Sequence, residues 1–333
     1  MSAGNGTGAR IVGDFGGTNA RLATLADRDD ALERITVLAC ADYPHIHDTI
    51  QAYLDRHAIT DVEEVCLAVA GPVDADVVHL PNNGWRFSRS ELERTLGAPL
   101  TVINDFTAQA LCIQLLSPGE LAWIGTPRPR PEGVQVVIGP GTGLGVAMRL
   151  PSGEVVPSEG GHVGFAPTNS HEIELLRLLL ERFDRVSIER MVSGPGLENL
   201  YWAQSRLDGD PEAGRAPTLS AQEVSALAES GDARALRSVN DLLDLLATFA
   251  GDMALASWAS GGVYLSGGAL RKLMGFLKPD RFRARFEAKG RFTGFCRELG
   301  VAWIAADYPG LVGCAAALVT GYGRAEGGPR TLR

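Results

Sequence analysis

Gly13-Asp14-Phe15-Gly16-Gly17-Thr18-Asn19-Ala20-Arg21 joins two short β-rich runs, Arg10–Asp14 and Arg21–Leu25. Farther along, Gly139-Pro140-Gly141-Thr142-Gly143-Leu144-Gly145 joins Val134–Ile138 to Val146–Leu150 in the same way. A strand–glycine turn–strand unit used twice points to a duplicated fold holding a nucleotide between its halves. Adjacent glycines let backbone N–H groups approach an anion closely, and Thr18 adds a hydroxyl donor. Asp14 would be repelled by a phosphate directly, but it can act through Mg²⁺ or the waters around it. The second turn has no acid in the corresponding place, so it reads as a phosphate cradle without its own metal partner. For both turns a plain hairpin is the competing reading. Neither is a P-loop, because G-x-x-x-x-G-K-[ST] does not occur, and the second lacks the spacing of the dinucleotide fingerprint.

The surrounding pattern is α/β. Arg34–Ala39 adds a third β-rich run, and Ile46–His57 has helical spacing with Ile46, Ile50, Tyr53 and Leu54 on one face. Val65–Ala70 is a strand ended by Gly71-Pro72, Ser90–Leu96 a helix, Leu100–Ile103 a strand and Thr107–Leu116 a helix. This order implies a mixed sheet: an antiparallel meander first, then parallel strands separated by helices. The Pro-rich stretch Thr126–Pro131 reads as an exposed connection. Later, Asp232–Ser260 could form one helix of roughly 40 Å, with Gly251 as its weak point. Val263–Leu265 is a strand and Gly310–Thr320 a final helix.

Composition narrows the function. A net charge of −9 leaves no basic surplus for phosphate backbones, which argues against nucleic-acid binding. The five cysteines are scattered, with no C-x-x-C pair, which fits buried thiols in a reducing compartment. No apolar run is long enough for an export signal or a membrane span, so a cytoplasmic protein is expected.

Four further motifs carry possible chemistry. Asn104-Asp105-Phe106 ends a strand, where ligands of open α/β sheets tend to sit. Asp105 could accept a proton from a substrate hydroxyl, or the pair could simply cap the next helix. Ser158-Glu159-Gly160-Gly161-His162-Val163-Gly164-Phe165 offers a carboxylate and an imidazole that suit sugar hydroxyls, each both donor and acceptor. Zinc is the competing idea there, but no cysteine lies nearby and H-E-x-x-H is absent. Glu189 alone reads as a surface acid. Ser266-Gly267-Gly268-Ala269, between strand and helix, could lie flat against adenine and ribose or be an ordinary turn.

Together, G-D-x-G-G-T-N-A-R-L, I-N-D-F-T-A, G-x-G-T-G-L-G-V-A, E-G-G-H-V-x-F-A-P, S-x-E-R-x-x-S-G-P-G-L-x-N-L-Y and P-G-L-x-G resemble the bacterial glucokinase family of the type lacking a zinc motif. The likeness runs over about residues 10–320, and the C-x-C-G cluster of the zinc-containing sister family is absent. The resemblance implies the two-domain actin-like, ribonuclease H-like ATPase fold, with mixed sheets flanked by helices and an active site in the interdomain cleft. It suggests a small domain over 10–115 and 305–325 and a large one over 116–304, with disordered ends at 1–9 and 326–333. It implies phosphorylation of glucose at the 6-hydroxyl by ATP with Mg²⁺. Asp105 would be the catalytic base, and Asn82, Asn104, Glu159, His162 and Glu189 would bind the sugar. Gly13, Asp14, Phe15, Gly16, Gly17 and Thr18, with Gly141, Thr142 and Gly143, would form the phosphate loops, and Gly267 and Gly268 the adenosine side. Asp14 would reach Mg²⁺ through water. Relatives are often homodimers, so a homodimer is expected. Other readings are a kinase for mannose or glucosamine, or an actin-like ATPase or sugar sensor without kinase activity. The chain departs from the family at Gly164, where relatives often carry Asp, and at Phe15, bulkier than the usual Val or Thr.

Overall fold

The computed structural model describes residues 8–26, 30–81, 83–126, 128, 130–210 and 219–323. The sugar-site candidate Asn82 lies outside the described residues, as do residues 1–7, 326–333 and the prolines at 127 and 129.

The chain divides into two compact units. One comprises Met1–Glu120, Gly153–Pro157 and Ala306–Arg333, the other Leu121–Ser152 and Ser158–Ala305. The first contains β1 (Ala9–Phe15), β2 (Asn19–Leu25), β3 (Leu32–Ala39), α1 (Ile46–Arg56), β4 (Val62–Val69), β5 (Val77–Leu80), β6 (Trp85–Ser88), α2 (Arg89–Leu96), β7 (Leu100–Asn104) and α3 (Asp105–Cys112). The chain continues through β8 (Leu121–Trp123), β9 (Gln135–Pro140), β10 (Leu144–Arg149), β11 (Val155–Ser158), α4 (Ser170–Leu179), α5 (Gly194–Leu207), α6 (Ala221–Glu229) and α7 (Ala233–Ala256). It ends with β12 (Gly262–Leu265), α8 (Gly268–Leu273), α9 (Pro279–Glu287), α10 (Thr293–Glu298), β13 (Val301–Ile304) and α11 (Pro309–Thr320).

The duplication expected from the two glycine turns is present in the topology. The first sheet runs β3-β2-β1-β4-β7, with β1 antiparallel to β2 and parallel to β4, and β4 parallel to β7. The second runs β11-β10-β9-β12-β13-β8. There β9 is antiparallel to β10 and parallel to β12, and β12 is parallel to β13. The hairpin β5–β6 is an extra element that the spacing of apolar residues did not announce. Local chemistry sets the ends: Ser88 caps α2 by accepting from Glu91 N, and Gly97 closes it in the left-handed region. Ser220 and Glu223 form a capping box on α6.

Each unit has its own core. In the first, Ile11, Phe15, Leu22, Ile50, Tyr53 and Leu67 pack between sheet and helix. In the second, the long α7 lies against α5, α6 and α9. Gly251 is not the weak point expected of a glycine in mid-helix. A Cβ there would overlap Lys289 Cε and the Phe286 carbonyl oxygen, so the missing side chain is what lets the end of α9 pack against α7 at this point. No helix among the described residues is long and apolar enough to cross a membrane.

In the first unit, α11 packs along α3 and against β1 and β4. The helices meet backbone to backbone at Gly313, where a Cβ would overlap the Ala108 carbonyl oxygen. Gly313→Ala should therefore force the pair apart and lower stability by about 1–3 kcal/mol. Equilibrium denaturation in urea, which should show a lower midpoint, checks this.

Candidate active site

The first unit supplies a turn and a helix head. The β1–β2 turn closes with Gly16 N donating to Asn19 O at 3.1 Å, and Thr18 is exposed at its tip. Asp14 faces Arg21 across the hairpin register, with Nη1 3.3 Å from Oδ2. Burial raises the Asp14 carboxyl above its ordinary value, and the Arg21 guanidinium pulls it back down. Asp14 also lies at the start of α11: a Cβ on Gly310 would be 2.6 Å from its Cγ. Only glycine leaves room there for the carboxylate. The side chain of Phe15, by contrast, is fully buried and packs against Trp85, with ring centroids 6.3 Å apart. The bulk that sets Phe15 apart is thus absorbed in the core, and only its backbone is left to face a ligand.

Strand β7 ends at Asn104, which is the N-cap of α3. Its Oδ1 accepts from Phe106 N at 2.9 Å and Thr107 N at 3.2 Å, and its Nδ2 donates to Gly71 O at 3.2 Å. The helix starts two residues before the expected Thr107, because the Asn cap makes Asp105 its first residue. Asp105 Oδ1 accepts from Phe106 N at 3.0 Å. Burial pushes the Asp105 carboxyl up to about 6, the negative charge of Asp14 adds to the rise, and backbone N–H groups oppose it. The result is a half-buried carboxylate that is ionised at neutral pH yet more basic than an ordinary aspartate.

The second unit gathers the other acids. Glu189 lies in a short turn, Ile188–Arg190, and its Oε2 accepts from Leu144 N at 2.8 Å. A Cβ on Gly143 would be 2.6 Å from that oxygen, so glycine is needed for the carboxylate to reach the loop. His162 ends the turn Gly160–His162, with Nε2 3.8 Å from Glu159 Oε2 and Nδ1 3.9 Å from Glu189 Oε1. These gaps exceed hydrogen-bond length, so the polar atoms remain available. The side chain of Glu159 is 86% exposed and that of Glu189 26%, so Glu189 is the anchored member of the trio. Among the described residues no cluster of His, Cys, Asp and Glu could hold a metal ion.

Two loops meet on the same unit. Gly141 N donates to Gly143 O at 2.8 Å, which tightens the turn after β9. Gly267 has φ +101°, and a Cβ on it would overlap the Pro140 carbonyl oxygen. The strip Ser266–Gly268 therefore lies backbone to backbone on Gly139-Pro140, with Ser266 N donating to Ile138 O at 2.9 Å. Gly164, the other departure, has open space around a Cβ and bridges to Ser187.

Sequence reasoning did not single out Arg21, Gly310, Ser193 or Asn199. Arg21 was accessible, since strand alternation across a short hairpin sets it opposite Asp14. Gly310 was not, because its neighbour Asp14 is distant in the chain.

A family model described as Glucokinase matches residues 11–320. The chain belongs to the glucokinase family. It is 41% identical over 314 residues to a glucokinase of Chromobacterium violaceum, covering 93% of this chain and 89% of that protein. It is 40% identical over 312 residues to a glucokinase of Chromohalobacter salexigens, covering 92% and 97%. Among solved structures, a glucokinase from an Antarctic psychrotroph is similar at TM-score 0.82 and 34% identity, covering 93% of this chain and 98% of that one. A ROK family glucokinase from Streptomyces griseus, in complex with glucose and AMPPNP, shares the fold at TM-score 0.62 and 22% identity, covering 92% and 98%.

The raised proton affinity of Asp105 has a consequence for stability. Below about pH 4 the carboxyl is neutral in both the folded and the unfolded chain. As pH rises toward about 6 the unfolded chain ionises first, so folding loses stability, and the full cost persists above that. Allowing for partial exposure, the cost is about 1–3 kcal/mol. Asp105→Asn should therefore be more stable than the parent at pH 8 and no more stable at pH 4, as thermal melts at the two pH values would record.

Proposed function

We propose that this chain transfers the terminal phosphoryl group of ATP to the 6-hydroxyl of glucose, with Asp105 as general base. ATP-dependent glucose phosphorylation is the activity of the family that the chain matches over residues 11–320. The role of Asp105 is supported above all by its place and its basicity: a half-buried carboxylate at the head of α3, with its pKa raised to about 6. Such a group is ionised at pH 7 and can orient a hydroxyl and take its proton late, as the phosphoryl group arrives.

Asn104 is assigned to the sugar beside Asp105, through whatever hydrogen-bonding capacity its capping role leaves. Glu159, His162 and Glu189 are assigned to sugar hydroxyls, because carboxylate and imidazole can complement groups that both donate and accept. A sugar of the wrong configuration leaves one of these groups unpaired, which is the physical source of discrimination among hexoses. The turns Gly13–Thr18 and Gly141–Gly143 are assigned to the phosphates, where their backbone N–H groups can serve an anion. Gly267 and Gly268 are assigned to the adenosine side.

Mg²⁺ fits the first turn. It binds through few carboxylates and keeps most of its waters, and Asp14 is a hard oxygen donor steadied through Oδ2 by Arg21. The bound ion would supply neutralising charge to the phosphates. The roles of this chain's own residues are then to hold the sugar, to cradle the phosphates and to move one proton.

In a coupled ADP-release assay with Mg-ATP, the parent should release ADP only when glucose is added. Asp105→Ala should lose about 10²–10⁴-fold in kcat with the KM for glucose changed by only a few-fold. Turnover at the parent rate in this variant would refute the assignment.

A further inference from the structure

The segment that follows Glu189 is tied to both ends of the second glycine turn. At one end of the turn, Leu144 N donates to Glu189 Oε2 at 2.8 Å. At the other, Gly194 N donates to Gly141 O at 2.8 Å. The two ends of this short strap are joined by a single hydroxyl. Ser193 Oγ donates to the Glu189 carbonyl at 2.8 Å and accepts from Gly196 N at 2.9 Å, so it fastens Glu189 to the first turn of α5. Ser193 is 1% exposed, so water does not compete for these bonds. Asn199, one turn further along α5, donates to Arg190 O at 2.9 Å and braces the same strap. The fit is close: a Cβ on Gly194 would come 3.3 Å from the Gly141 carbonyl oxygen.

We propose that Ser193 is a positioning residue that holds the sugar-binding carboxylate of Glu189 and the phosphate turn Gly141–Gly143 in one fixed geometry. The proposal rests on the assignment of Glu189 to sugar and of this turn to phosphate. Ser193 itself touches neither ligand. An ordinary helix cap would affect α5 alone; this cap also carries the Glu189 carbonyl, and Glu189 in turn carries Leu144. Loss of the hydroxyl removes a donor from the part-buried Glu189 carbonyl and the acceptor from the buried Gly196 N–H. It also frees Glu189 to move relative to the turn, and small misplacements at such a site are costly.

The test is steady-state kinetics on Ser193→Ala, Ser193→Thr, Gly194→Ala and Glu189→Gln, with thermal melts of each. Ser193→Ala should raise the KM for glucose and the KM for ATP together, each by about 5–20-fold, an effect of roughly 1–2 kcal/mol at each ligand. Ser193→Thr keeps the hydroxyl and should recover most of both. Gly194→Ala presses on the Gly141 carbonyl, and because the turn is fastened to Glu189 through Leu144 it should raise both KM values. A lower melting temperature in Ser193→Ala with both KM values unchanged would overturn the proposal and leave Ser193 as a plain cap. If Ser193→Ala does not fold, an effect of Gly194→Ala on only one of the two KM values, or on neither, would overturn it. Glu189→Gln separates the two layers of argument. An unchanged KM for glucose there would defeat the site assignment itself. A raised value alongside an inert Ser193→Ala would defeat only the strap.

Discussion

Two helices of the first unit touch with no side chain between them. At Gly313 the backbone of α11 meets the backbone of α3 at Ala108, and this contact fixes both helix heads at once. The head of α3 is Asp105. The head of α11 carries Gly310, whose missing side chain is the space in which the Asp14 carboxylate lies. A close-packed interior transmits displacement instead of absorbing it. Moving either helix would therefore shift a carboxylate. Cys314, next to the contact, donates from its thiol to the Gly13 carbonyl at 3.3 Å, which ties α11 to the entry of the glycine turn as well.

The same unit keeps two carboxylates in partly buried surroundings, which is costly unless the charges are answered. The answers differ. Asp14 has Arg21. Asp105 has backbone N–H groups and the Asn104 side chain, but no cation, against both its burial and the charge of Asp14, and its proton affinity rises accordingly. Burial thus raises the proton affinity of both acids, and at Asp14 the Arg21 guanidinium opposes the rise. The second unit follows another plan. There Glu189 is held by a backbone N–H of the glycine turn, so the acid and the turn act as one body.

Much of this was legible in the sequence. The two glycine turns fixed the duplicated sheet, because a strand–turn–strand hairpin followed by helix-linked strands can hardly pair otherwise. Asn104-Asp105 was readable both as a helix cap and as chemistry; the Asn caps, and that cap sets the Asp at the helix head. Glu189 looked like a surface acid by itself; its turn and its bond to Leu144 depend on packing between segments far apart in the chain. The same is true of Gly251, Gly310 and Gly313. Each is explained by a neighbour that no local pattern names, so propensity alone misread Gly251 as a weakness. The short elements, such as β8, β13 and the β5–β6 hairpin, carry too few residues for a period to declare itself.

The central claim is that Asp105 takes the proton from the sugar, and the dependence of kcat/KM for glucose on pH tests it most directly. Burial and the charge of Asp14 set the carboxyl at about 6, and the base works only when ionised. The account predicts a plateau from about pH 7 to 8 and a tenfold loss per pH unit below about 6, with that inflection gone from the residual activity of Asp105→Asn. A rate that stays level from pH 8 down to pH 5, or an inflection near 6 that survives in Asp105→Asn, would contradict it.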